Sequence, residues 1–161
     1  MQKATLRMHP ILASVAATTL LTSAPAQAKL NDNFKASTSN GCGVLNFRDY
    51  DPGAPGNGKA NDYYLVIHDY CRDGHGIRAW AFVKRRGTGN YVSIGSRFNG
   101  NGRAGAPVYW DPFTAIGTGS LLGGDTVAIR VCLVDGKSDR TPFKCRRSGR
   151  RQLTYHTMRD G

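Results

Sequence analysis

Residues 77–85 read IRAWAFVKR and alternate two kinds of side chain. The odd positions carry small or branched apolar groups until Arg85, whereas the even positions carry Arg78, Trp80, Phe82 and Lys84. Successive side chains of a β-strand point to opposite faces of its sheet, so this alternation predicts a strand with one face toward a core. The opposite face combines aromatic and cationic groups. We therefore identify three of its side chains as candidate partner-binding residues, namely Arg78, Trp80 and Phe82.

Similar patterns recur on both sides of this segment, separated by turn sequences rich in Gly, Pro and Asn. We expect about seven strands and an all-β fold in which two antiparallel sheets form a β-sandwich. In the segment 125–134, the odd-numbered residues are expected to face the core, and Ala128, Arg130 and Cys132 the opposite side. The other predicted strands are 44–50, 63–71, 91–98 and 152–158, while the segment 108–124 reads as a strand entering a long loop.

The start of the chain has the layout of a secretory signal peptide. Two basic residues, Lys3 and Arg7, precede the apolar run 11–21, which is followed by the A-x-A sequence of residues 26–28. The run is too short to span a bilayer, so we expect cleavage and secretion to the extracellular space, with no membrane span. The predicted organisation is a signal peptide at 1–28, a flexible N-terminal arm at 29–41 and a single β-sandwich domain at 42–161.

The composition agrees with a turn-rich, basic, secreted domain. The full chain carries a net charge of +11, and removal of Lys3 and Arg7 with the leader leaves +9. All acidic residues are Asp, which favours turns and caps over helix interiors. A basic protein of this kind is expected to bind acidic partners, including other secreted proteins and anionic cell-wall polymers.

Four cysteines, Cys42, Cys71, Cys132 and Cys145, indicate disulfides in a secreted domain. Three pairings are possible. We favour Cys42 with Cys71 and Cys132 with Cys145, because the second pair closes a short segment. In the chain-entropy model each bridge contributes roughly 3–4 kcal/mol of stability. The spacing of the cysteines and histidines does not suggest a metal site, and no cofactor is expected.

Two further segments are candidates for partner binding. The arm at 29–41 is polar apart from Leu30 and Phe34, which would dock if the arm orders on a partner by adding a strand to its edge. The segment 140–151 is strongly basic and contains no acid. Its candidate contact residues are Arg146, Arg147, Arg150 and Arg151. An alternation of aromatic and basic residues of the kind that stacks bases is not evident there, and secretion also disfavours nucleic acid as a partner.

The patterns that carry catalysis or metal binding are weak. His75 follows Asp73 in a turn, and Asp69 lies close by in the sequence. An imidazole and a carboxylate can act as an acid–base pair, but nothing in the sequence defines their geometry. His68 lies in a predicted strand, and Asp49 begins a D-x-D pair that lacks the further alternating acids of a calcium loop. There is no G-x-S-x-G elbow. We therefore expect a protein that is not an enzyme and has no catalytic residues.

Four motifs carry a resemblance to a known group of proteins. They are GIRAWAFV at 76–83, RFNGNGRAG at 97–105, VYWDPF at 108–113 and VAIRVCLVDGKSD at 127–139. On these motifs the chain resembles small secreted actinobacterial proteins, some of which look like the small adaptor subunit of umbrella-shaped antibacterial toxin particles. The resemblance implies a non-enzymatic bridge between the repeat ring of a large polymorphic toxin and a lectin-bearing protein, with the arm at 29–41 as a docking element.

Two other functions remain open at this stage. A secreted protease inhibitor would present the loop closed by Cys132 and Cys145, although the cysteine intervals do not match the expected inhibitor pattern. A cell-wall or glycan-binding module would use the exposed aromatic or basic residues. The leading hypothesis is the interaction or adaptor protein.

Overall fold

A computed structural model of the chain describes residues 32–49, 63–114, 121–146 and 153–159. The predicted signal peptide, Leu30 and the loop 51–62 lie outside these ranges. The described residues form an all-β structure without a helix. The strands are β1 (Phe34–Ser37), β2 (Gly43–Arg48), β3 (Tyr64–Asp69), β4 (Gly76–Lys84), β5 (Val92–Asn99), β6 (Val108–Trp110), β7 (Thr126–Val134) and β8 (Thr154–Thr157).

The strands form two antiparallel four-stranded sheets, which confirms the predicted β-sandwich. The first sheet has the order β1-β2-β3-β6, and the second has the order β5-β4-β7-β8. The two central strands of the second sheet, β4 and β7, are the longest of the described strands. They pair over nine residue positions, from Gly76 opposite Val134 to Lys84 opposite Thr126. This pairing sets the register of the face that carries Arg78, Trp80 and Phe82.

The core lies between the sheets and follows the predicted alternation of β4. Ile77, Ala79, Ala81 and Val83 are all buried, whereas the even positions of the strand are half-buried on the outer side. Removal of these apolar groups from water drives the two sheets together. The opposing sheet and the loops complete the core with Leu45, Phe47, Leu65, Ile67, Phe113, Leu121 and Met158.

The prediction of a flexible arm at 29–41 is wrong for its described part. Residues 34–37 form strand β1, which pairs with β2 over four positions in the first sheet. Ala36 is buried and Phe34 packs against the core, while Thr38 accepts and donates hydrogen bonds at the turn before Gly43. The segment adds a strand to its own sheet rather than to the sheet of a partner, so Phe34 is a packing residue.

The two favoured disulfides are both present. Cys42 pairs with Cys71 and joins the start of β2 to the chain after β3, and Cys132 pairs with Cys145. The second bridge lies on the outer side of β7, where the predicted alternation of that strand places Cys132. Ala128 and Cys132 are buried although they face away from the inter-sheet core, and only Arg130 is half-exposed.

Two further segments differ from their predicted extents. The ambiguous segment 108–124 contains the short strand β6 at Val108–Trp110, and the last strand is Thr154–Thr157 rather than 152–158. With β1, the described part of the chain has eight strands instead of about seven. In the same ranges no helix is long and apolar enough to cross a membrane.

Candidate interaction surface

The outer side of the second sheet carries a row of paired cationic and aromatic side chains. The even positions of β4 lie between two neighbouring strands, so each residue has cross-strand partners on the same face. We call this surface the cation–aromatic face. Its residues are Arg78, Trp80, Phe82 and Lys84 of β4, together with Tyr91, Phe98 and Arg130.

Three contacts of the cation–π type follow one another along this face. The guanidinium of Arg130 lies 5.0 Å from the ring centre of Trp80, because the two residues are directly opposite in β7 and β4. At one end of the row Arg78 lies 6.0 Å from the ring of Phe98, and at the other end the Lys84 ammonium lies 5.6 Å from the ring of Tyr91. Each contact keeps a cation above an aromatic face and thereby holds both side chains in place.

Within the described ranges no carboxylate forms an ion pair with Arg78 or Arg130, although the charge of Arg78 contributes to the lowered pKa of Asp139. No Asp occupies the outward positions of the four strands of this sheet among the described residues. Arg78 donates a hydrogen bond from Nη2 to the carbonyl of Lys137, and Arg130 donates from Nη2 to Sγ of Cys145 at 3.5 Å. Neither arginine forms an ion pair in the described ranges, so both retain their charge for an external partner.

At the Arg78 end, the face continues into a cleft at one end of the sandwich. The connections after β3, after β5 and after β7 meet there and enclose about 530 Å³. A second cavity of about 470 Å³ adjoins it and shares Phe98 and Lys137 with it. We call the two together the basic cleft. Its titratable side chains are Arg72, His75, Arg78, Arg97, Arg103 and Lys137.

Glycines shape the wall of the basic cleft around Phe98. A Cβ atom at Gly76 would lie 2.4 Å from the ring of Phe98, and one at Gly100 would lie 2.6 Å from it. These positions therefore need glycine so that the ring can lie against the backbone. Gly102 has a φ of 66°, a conformation that glycine adopts without strain, and a side chain there would meet open space.

The structure pairs His75 with a different acid from the two considered in the sequence. Nδ1 of His75 lies 2.6 Å from Oδ1 of Asp135, and the imidazole meets the edge of Phe143. Asp73 accepts a hydrogen bond only from the backbone N–H of His75, and Asp69 accepts one from the backbone N–H of Cys71. The side chain of His75 is therefore paired with Asp135 and not with either of the acids that lie near it in the sequence.

Other groups considered for chemistry have structural contacts. His68 stacks on Tyr70 at 5.3 Å, and burial together with the charge of Arg48 lowers its pKa. Asp49 accepts a hydrogen bond from the backbone N–H of Asp32, and Asp51 lies outside the described residues. The described groups with metal-ligand proximity are Cys42, Cys71 and Asp73, but the two sulfur atoms form a disulfide and offer no thiolate.

The opposite end of the sandwich contains buried carboxylates that are paired. Asp32 is fully buried, and its Oδ1 lies 2.8 Å from Nε2 of His156 and 2.7 Å from Nε of Arg159. Burial alone would raise the pKa of Asp32, but the hydrogen bonds from Arg159 and His156 outweigh it and lower the pKa. Asp125 behaves similarly, because bonds from the Arg86 backbone and the Arg85 guanidinium outweigh its burial. We call this region the closed end.

The structure brings together only some of the residues selected from the sequence. Arg78, Trp80 and Phe82 share the cation–aromatic face, whereas Arg146 lies apart beside β8 and donates to the Thr154 hydroxyl at 2.8 Å. Phe34 packs against the core in β1, and the remaining selected residues, Leu30, Arg147, Arg150 and Arg151, lie outside the described residues.

Sequence reasoning missed the basic cleft. Arg72, Arg103 and Lys137 come from three separate connections, and no local spacing links them. A weak signal was present in two of the motifs, since Arg103 follows the turn sequence NGNG and Lys137 follows Asp135-Gly136. Cations beside such turns lie at strand ends, but only the sheet topology shows that these strand ends are neighbours.

Comparisons with known proteins leave the chain without an assigned family. No protein-family model matches it, no curated protein is significantly similar to it, and no solved structure matches it significantly. The functional conclusions therefore depend on the geometry of the two surfaces and on the motif resemblance.

Proposed function

We propose that this protein is a secreted, non-enzymatic interaction protein that holds an acidic partner protein on its cation–aromatic face. The observation that carries the proposal is the row of three cation–π pairs on a sheet face whose described strands contain no Asp. The signal-peptide layout of residues 1–28 and the two disulfides support an extracellular role.

The chemistry of this face suits protein recognition. Tryptophan, tyrosine and arginine contribute a disproportionate share of binding free energy at protein interfaces. Trp80 is half-buried and held by Arg130, so little side-chain entropy is lost when a partner covers it. The unbalanced cations would steer an acidic surface toward the face and accept its carboxylates.

The finer proposal is an adaptor subunit that bridges a polymorphic toxin and a lectin-bearing protein in an extracellular antibacterial particle. Its support is the motif resemblance, whose four motifs also supply the residues of both surfaces. GIRAWAFV contributes Arg78, Trp80 and Phe82, and VAIRVCLVDGKSD contributes Arg130 and Lys137. The motifs therefore encode the candidate interface together with the core strands.

The test is a tagged pull-down from the native culture supernatant, with recovered proteins identified by mass spectrometry. We compare the wild type with Trp80→Ala and with Tyr109→Ala, which removes an aromatic ring that is 40% exposed on the first sheet. Trp80→Ala should weaken binding of the recovered partner by about 30-fold or more. The control should change it less than about threefold, and the melting temperatures should show that both variants are folded.

Each result of this experiment has a clear meaning. Recovery of a repeat-containing toxin and a lectin protein that depends on Trp80 supports the adaptor. An equal loss for both variants, or none for Trp80→Ala, excludes the cation–aromatic face as the interface. Recovery of a single secreted protease supports the inhibitor alternative instead.

The loop closed by Cys132 and Cys145 provides little support for the inhibitor. Leu133 and Phe143 exchange two backbone hydrogen bonds across it, and the Asp139 carboxylate accepts from the backbone of Asp135 and Thr141. The loop is therefore folded back on itself, whereas a protease cleft binds an extended peptide strand.

A further inference from the structure

We propose that the basic cleft is a second binding site, and that its ligand is a phosphodiester-linked polyol polymer of the kind that makes a cell-wall surface anionic. This inference goes beyond the proposed partner protein and does not depend on it. Its central residues, Arg72, Arg103 and Lys137, lie outside the cation–aromatic face.

Four cationic side chains of the cleft are not held in ion pairs within the described part of the chain. Within the described ranges, the side chains of Arg72, Arg97, Arg103 and Lys137 form no ion pair, and all four residues are exposed. Converging like charges repel one another, so their arrangement costs stability unless a ligand compensates for it. An anion that enters the cleft would gain from several cations at once.

The acids near the cleft are already engaged elsewhere. Asp135 is paired with His75 at 2.6 Å. Asp139 accepts hydrogen bonds from the Thr141 hydroxyl and from two backbone N–H groups, and these bonds, with a smaller contribution from the charge of Arg78, lower its pKa to about 2. Asp69 and Asp73 accept from the backbone N–H groups of the same connection. These carboxylates remain close enough to moderate the positive potential, but within the described ranges none of them forms an ion pair with an arginine or lysine of the cleft.

The shape of the cleft favours a ligand with repeated charges. Two cavities of about 530 and 470 Å³ adjoin at Phe98 and Lys137. The first contains Arg72 and Arg103, and the second contains Arg78 and Arg97. One anionic group can occupy each cavity while the connecting part of the polymer passes Lys137. A single small anion would satisfy only one of the two groups of cations.

The walls suit a polyol rather than a peptide. The first cavity is lined by five glycines and by Asn101 beside its cations, and the second by Ser96; backbone groups, the amide and the hydroxyl can all hydrogen-bond to a polyol. The described lining offers few apolar contacts for the side chains that anchor a bound peptide, since its larger apolar side chains are Phe98 and Val108.

The same ring argues against nucleic acid, which is the other phosphodiester polymer. Proteins that hold single strands stack bases on exposed aromatic faces. The Phe98 ring lies against the backbone at Gly76 and Gly100 and has the Arg78 guanidinium 6.0 Å from its centre, so it does not offer an open stacking face.

The experiment measures binding of a synthetic poly(glycerol phosphate) oligomer to the full mature protein by calorimetry at low and at physiological ionic strength. Arg72→Gln/Arg103→Gln removes two cleft cations. Its matched control, Lys35→Gln/Arg86→Gln, removes two exposed cations from β1 and from the closed end. We expect the cleft variant to bind at least about tenfold more weakly than the wild type. The control should lose less than about threefold, because distant exposed charges are screened by salt.

Two further polymers of matched charge test whether the cleft binds another class of anionic polymer. Poly-L-glutamate tests an acidic polypeptide, and a single-stranded oligodeoxynucleotide tests nucleic acid. Binding of either as tightly as the polyol phosphate overturns the assignment of the ligand. Equal weakening by the two double variants overturns the cleft as the site, because it would show attraction by net charge alone. Unaltered binding by Trp80→Ala would separate this site from the proposed partner face.

Discussion

The two ends of the sandwich differ in the burial and the pairing of their charged side chains. At the closed end, Asp32 is buried between His156 and Arg159, and Asp125 is paired with Arg85 at 2.6 Å. At the end that forms the basic cleft, Arg72, Arg103 and Lys137 are exposed to a common cavity without an ion pair in the described ranges. Charge that is buried and paired holds strands together, whereas charge that is exposed and unpaired is free to meet a ligand.

Removal of residues 29–41 should have the largest effect on stability. The deletion takes away strand β1, the packing of Phe34 and the buried Asp32 at the closed end. Loss of a strand pairing, of the partly buried Phe34 ring and of the buried Asp32 carboxylate should together cost at least about 3–5 kcal/mol, so the deleted protein should be largely unfolded. Circular dichroism and thermal melting test this, with Lys35→Gln as the control. A melting temperature close to that of the wild type would mean that the segment is dispensable for the fold.

Asp32→Asn isolates the electrostatic part of the closed end. The substitution keeps the shape of the side chain but leaves Arg159 and His156 without their carboxylate partner. We expect a loss of about 3 kcal/mol in the free energy of unfolding, measured in urea. The control Asp73→Asn removes an exposed carboxylate and should change it by less than about 0.5 kcal/mol. If the two variants lost similar amounts of unfolding free energy, the buried and paired Asp32 would contribute no more to stability than the exposed Asp73, which contradicts this prediction.

Features of the two ends that depend on neighbouring residues can be predicted from the sequence, whereas contacts between residues far apart in the chain cannot. The alternation of residues 77–85 is local, so it predicts strand β4 and its two faces correctly. Strand β1 is missed because residues 34–37 contain little apolar surface, and the pairing with β2 stabilises them. Asp32 and His156 are separated by 124 positions, and the cleft combines three connections. Such contacts depend on the strand order, which local patterns do not specify.

The pH dependence of stability should have opposite signs at the two ends. The pKa of Asp32 is lowered in the folded state. The contribution of its carboxylate to the free energy of unfolding is therefore complete above the pKa of an unfolded Asp, about 4, and is lost as the pH falls through the folded-state pKa. Burial, reinforced by the nearby charge of Asp73, raises the pKa of Asp69 at the cleft end despite its bond from the Cys71 N–H. Ionised Asp69 therefore lowers the free energy of unfolding at neutral pH. Protonation of its carboxyl group on acidification removes this destabilisation.

Urea unfolding of the wild type, Asp32→Asn and Asp69→Asn at pH 7 and pH 3 tests these signs. The stability difference between wild type and Asp32→Asn should shrink at pH 3. Asp69→Asn should be as stable as the wild type or more stable at pH 7, and it should lose this relative advantage at pH 3. A parallel loss for both variants at pH 7 would show that Asp69 is held by favourable pairing, as Asp32 is.

The smallest expected effect on stability belongs to the cleft cations. Arg72→Gln/Arg103→Gln removes no ion pair and relieves mutual repulsion with Lys137, so the free energy of unfolding should stay within about 0.5 kcal/mol of the wild type or rise slightly. The gain should vanish at high salt, which screens repulsion between exposed charges. Urea unfolding at low and high ionic strength measures it, with Lys35→Gln/Arg86→Gln as the control of equal charge change. A clear loss of stability in the cleft variant would show that these arginines support the fold, and the unpaired cations would then need no ligand to account for them.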